Sequence, residues 1–152
     1  MGRAGFVTRV VERARVVTTA LAHPAQLASD VVAVAVVLRE VEEARWVEGP
    51  STLVARLRER GKLTEPRSPA GRKRLFGLVY RLDALMNGES NCYRRSLVHV
   101  ALDRQSACEP FVLGLDVEGA VAQTGVGALG HAWVVGNEGE NENTRFDVEF
   151  RL

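Results

Sequence analysis

The sequence predicts an α+β protein, with a helical N-terminal half followed by a core in which a cysteine-bearing helix packs on a small antiparallel sheet. Two observations predict this class. Apolar residues recur at helical spacing through most of residues 6–105, and after Cys108 the texture changes to short β-friendly runs separated by glycine-rich and acidic stretches. A length of 152 residues with 46% hydrophobic content suits one ordinary core, so a single domain spanning residues 1–152 is expected.

Phe6, Val7, Val10, Val11, Ala14, Val17 and Leu21 lie at helical spacing, which predicts an amphipathic helix ending before His23-Pro24. Pro24 suits the first turn of a second helix running to about Trp46. Its stretch Val31 to Leu38 is apolar nearly all round, which predicts a buried, central helix; a buried strand is the competing reading of those valines. Gly49-Pro50 stops it. Ser51 is expected to cap a short helix carrying Leu53, Val54 and Leu57, with Gly61 ending it before a basic loop from Lys62 to Pro69. Leu75, Leu78, Val79, Leu82, Leu85 and Met86 form the next helical stripe, closed by Asn87-Gly88. Ser90 or Asn91 then caps a helix from Cys92 to about Gln105. Phe111 to Leu113, Ala128 to Val135 and Thr144 to Phe150 read as three strands, and the polar run Asn137 to Asn143 as a hairpin connection.

The net charge of +1 exerts no global pull toward nucleic acid or an anionic membrane. Charge is nevertheless uneven: residues 56–74 carry eight basic side chains against Glu59 and Glu65, while residues 109–152 carry eight acids against Arg145 and Arg151. The basic stretch has no interleaved aromatic beyond Phe76, which argues against nucleic-acid binding. The N-terminus contains Glu12 and no apolar stretch long enough for a signal peptide, and Phe6 replaces the Ser or Thr of a myristoylation signal. The longest apolar run, Val31 to Leu38, is far below the roughly 20 residues of a membrane span. Two cysteines, Cys92 and Cys108, make no disulfide framework, so a cytoplasmic, reducing setting is expected. No cofactor is expected: Cys92 and Cys108 lack the paired spacing of a zinc site, and Gly125-Val126-Gly127 is too short for a nucleotide loop.

The chemistry-bearing residues lie in the second half. Cys92 falls in the first turn of its predicted helix, where unpaired N–H groups and the positive end of the dipole favour a thiolate, and Arg94 and Arg95 add local positive charge. Cys108 has no comparable surroundings. His99 shares a helical face with Cys92, but seven residues rise about 10 Å along a helix, beyond the reach of a general base. His23 is better explained by the helix junction at Pro24. His131, at the start of a strand, is therefore the expected base. A base needs an acid on its other ring nitrogen. In the last strand Asp147 and Glu149 share a face opposite Phe146, Val148 and Phe150; Asp147 is the first choice and Glu149 its substitute. Trp133, two residues from His131, either walls the pair off from water or is an ordinary core aromatic.

Cys92-x-x-Arg95-Ser96-Leu97, the passage ending Phe111-Val112-Leu113-Gly114, and Gly130-His131-Ala132-Trp133-Val134 together resemble the transglutaminase-like cysteine peptidases of lasso-peptide biosynthesis. The resemblance covers about residues 75–152 and implies a papain-like core there, preceded by a helical part over residues 1–74. It further implies Cys92 as nucleophile, His131 as general base and then acid, and Asp147 orienting the imidazole. The implied oxyanion donors are backbone N–H groups at the Cys92 helix start. The implied substrate is a ribosomally made precursor peptide, whose leader is removed with help from a small leader-binding protein beside a macrolactam-forming synthetase. Two alternatives stay open: acyl transfer to an amine through the same thioester, and a non-catalytic peptide-binding module whose basic stretch docks an acidic partner.

Overall fold

The computed structural model describes residues 24–88, 91–116, 129–135 and 148–152. The expected first helix (6–21), the polar connection 137–143 and the start of the last expected strand, 144–147, lie outside the described residues. The chain divides into two compact units, residues 1–33 and 34–152. The described part of the first is the opening of helix α1 (Pro24–Ala44), where Gln26 donates to Asp30 at 3.2 Å. The rest of this description concerns the second.

That unit is α+β. After the last turns of α1 come α2 (Pro50–Lys62), α3 (Pro69–Asn87), α4 (Cys92–Leu102) and the single turn α5 (Arg104–Cys108). Strands β1 (Phe111–Asp116), β2 (Leu129–Val134) and β3 (Val148–Arg151) follow. The expected helix is formed through Val31 to Leu38, and the competing strand reading is not, but that stretch is not apolar all round in use. Val34, Val37, Leu38 and Val41 are fully buried along one stripe, whereas Val36 is 54% exposed. Valines on the other face are thus ordinary surface residues of a helix with one packing face.

Three boundaries differ from the sequence reading. Ser51 does not cap α2: Gly49 is the N-cap, with Pro50 at the first position, and it makes no side-chain cap bond. Gly61 does not end α2 but lies inside it, because that helix crosses α4 at closest approach there. A Cβ at position 61 would stand 1.9 Å from the Val100 carbonyl oxygen and 2.8 Å from Ala107 Cβ. The cysteine helix stops at Leu102 rather than near Gln105. Asp103 adopts extended backbone (φ −129°, ψ 117°) and caps the next turn, accepting from Ser106 N at 3.0 Å and Ser106 Oγ at 2.7 Å. Ser68, preceding Pro69, caps α3 by accepting from Gly71 N at 3.2 Å.

The sheet is antiparallel, in the order β2-β1-β3. Phe111 pairs with Val134 on one side, and its N–H and C=O both bond Leu152 on the other, at 3.1 and 2.8 Å. Phe111, Leu53, Leu57, Leu75, Leu97 and Val98 are among the fully buried side chains of the core. Burial of each such side chain stabilises the fold by about 1.5–3 kcal/mol.

Candidate active site

The start of α4 is held by polar groups from three helices. Asn91 is its N-cap, and Asn91 Oδ1 accepts from Arg94 N at 3.1 Å. Asp83, fully buried on α3, accepts from the Asn91 backbone N–H at 2.7 Å, from Arg94 Nε at 2.7 Å and from Asn87 Nδ2 at 3.0 Å. Arg94 continues to Glu42 on α1 at 3.1 Å, and Glu42 pairs with Arg45 at 2.7 Å. The expectation that Arg94 lends its charge to Cys92 is therefore corrected, since Asp83 and Glu42 balance that guanidinium. Arg95 lies over the Tyr80 ring, 5.2 Å from its centroid.

Cys92 is half-buried at the first position of α4 and lines a cavity of about 480 Å³. The sheet side of that cavity is Leu113 and Gly114 of β1, Ala132 of β2 and Phe150 of β3; the opposite side includes Pro50 and Ser51. Two helix starts, those of α2 and α4, thus meet at one largely apolar space, each bringing the positive end of its dipole. Such a field favours an anion at the thiol, and the apolar walls weaken its screening. Next along the chain, Tyr93 stands edge-on to Phe111 with ring centroids 6.1 Å apart. Burial pushes its phenol above the ordinary value, against a smaller opposing pull from Arg45, so it is a hydroxyl at neutral pH.

His131 lies on β2 opposite Gly114 of β1, and Gly114 in turn is opposite Glu149 of β3. Positions 131 and 149 are thus in one cross-strand row, two ladder spacings or about 10 Å apart, with a residue lacking a side chain between them. The β2 residue lining the cavity beside Cys92 is Ala132, in the cross-strand row Phe150, Leu113 and Ala132, which alternates with the row of positions 149, 114 and 131. β3 adjoins β1, so the last strand does not neighbour β2. Asp147, and the side chains of His131, Trp133 and Glu149, lie outside the described residues, as does His23. Helix α4 and strand β2 are joined by Ser96, whose Oγ donates to the Ala132 carbonyl oxygen at 2.9 Å.

His99 is packed away from this site, stacked on Phe76 with centroids 4.1 Å apart. Complete burial, with nearby Arg95 adding to it, lowers its pKa to about 3, so it is a neutral core residue. Cys108 is exposed. Two polar residues of the site escaped the sequence reading. The signal for Asp83 was present, because it follows buried Val79 by one helical turn and so puts a carboxylate on a core-facing position. Ser96 entered the sequence reading only as part of the Cys92-x-x-Arg95-Ser96-Leu97 motif, and nothing in sequence pointed to its strand partner.

The basic stretch is largely spent within the fold. Arg56 and Arg60 pair with Glu40, Arg56 also with Glu48, and Arg72 with Asp103 at 3.0 Å. Arg58 donates to the carbonyl oxygens of Glu109 and Leu152 at 2.7 and 2.8 Å, tying α2 to the flank of the sheet. Among the described residues no three His, Cys, Asp or Glu side chains converge as metal ligands, and no helix is long and apolar enough to cross a membrane. No family model, curated protein or solved structure matches the chain.

Proposed function

We propose that this protein is a cysteine peptidase of the transglutaminase-like kind, removing the leader from a ribosomally made lasso-peptide precursor. The observation that carries the reading is the position of Cys92. It stands at the start of a capped helix, beside a peptide-sized cavity, and that helix is bonded to the strand on which His131 lies. In the proposed reaction the Cys92 thiolate attacks the scissile carbonyl carbon, and backbone N–H groups at the helix start stabilise the oxyanion. Collapse of that intermediate breaks the C–N bond, and the imidazolium of His131 protonates the departing amine. Water, deprotonated by the same imidazole, then hydrolyses the thioester and releases the leader carboxylate. Asp147, or Glu149 as its substitute, orients the ring.

The test is incubation of the full chain with a leader–core precursor and a leader-binding partner protein, followed by product mass. Cys92→Ala is expected to abolish leader removal, and hydrolysis adds one water across the cut bond. Undiminished processing by Cys92→Ala overturns the peptidase reading, and an amine adduct on the leader fragment replaces it with acyl transfer.

A further inference from the structure

We infer that Ser96 is a positioning residue, setting the His131 strand against the Cys92 helix; this role rests on the peptidase reading above. The register of the sheet supplies the argument. Val135 N donates to Pro110 O at 3.0 Å, which makes 135/110 a hydrogen-bonded pair of the β1–β2 ladder. Antiparallel pairs alternate, so 133/112 and 131/114 are also bonded pairs, and 132/113 is a non-bonded one. The carbonyl of Ala132 therefore turns away from β1. Left alone it would be a buried acceptor with nothing from the ladder to satisfy it.

Ser96 Oγ supplies that bond at 2.9 Å, from a side chain only 4% exposed. A serine inside a helix ordinarily turns its hydroxyl back to the carbonyl four residues earlier, which here belongs to Cys92. Ser96 instead spends its proton across the helix–strand contact. The bond fixes two things together: it lies one helical turn after the nucleophile and one residue after the proposed base. A thiol–imidazole pair tolerates little misplacement, and a shift of about 1 Å costs up to about a hundredfold in rate. Fixing the strand height at Ala132 is what this hydroxyl contributes.

The experiment reads the rate of Cys92 alkylation by iodoacetamide in the full chain across about pH 5 to 9, followed by peptide mass with Cys108 as internal reference. An imidazole partner gives the wild-type profile an acid-side limb that His131→Ala removes. Ser96→Ala is expected to lose most of that limb, slowing Cys92 about tenfold near pH 6, with Cys108 unchanged. If Ser96→Ala does not fold by circular dichroism, Ser96→Cys, of near-equal size and weaker donor strength, is expected to lose part of it. A folded Ser96 variant that keeps the whole limb while His131→Ala loses it overturns the positioning role and leaves the peptidase reading standing. Identical profiles for wild type and His131→Ala overturn both.

Discussion

Asp83 commits both carboxylate oxygens to neighbours although its surface is fully buried, and Arg94, its main partner, has a side chain only 5% exposed. Two charges so far from water are tolerated because each is closely paired, and the geometry also grips the residue preceding Cys92. Breaking the pair from one side is costlier than never having had it. Arg94→Met is expected to destabilise the protein by about 3–5 kcal/mol in urea unfolding, and adding Asp83→Leu to recover part of that loss. A loss within about 0.5 kcal/mol for Arg94→Met would mean that water or another cation reaches Asp83 readily.

Helices were legible in the sequence wherever one apolar stripe repeated every three or four residues, as at Leu75, Val79 and Leu82; their ends were less so. Gly61 illustrates the reason. Glycine ends helices by its freedom at positive φ, but it also permits two backbones to touch, and sequence does not distinguish these uses. Gly77 offers a direct check, because it too lies inside a helix but has no atom within 4 Å of the point a Cβ would occupy. Gly61→Ala is expected to lower stability by at least about 2 kcal/mol, since the Val100 carbonyl cannot yield about 1 Å without parting α2 from α4. Gly77→Ala is expected to raise it by about 0.5–1 kcal/mol through helix propensity, both read from thermal melts. Strand order was not legible at all. Period-two alternation tells which residues share a face but not which strands adjoin, so the sandwiching of β1 between β2 and β3 had no counterpart in the pattern.

Acid sensitivity belongs to the whole molecule. His99 stays neutral in the fold down to about pH 3 but takes a proton in the unfolded chain near its ordinary value of 6.5. Stability is therefore intact above pH 6.5 and declines as pH falls from there toward 3, because the unfolded state binds the proton first. Urea unfolding is expected to show a loss of about 2 kcal/mol between about pH 7 and 5, absent from His99→Leu. An equal loss in both proteins would assign the effect elsewhere. The arrangement of the site has a consequence in time as well. Helices α2 to α5 and strand β1 are consecutive in sequence and can collapse as the ribosome releases them, yet Phe150 and Leu152, which complete the walls around the thiol, arrive only about sixty residues after Cys92. A nascent chain thus carries its sulfur through that whole interval without the walls that would let it select a guest.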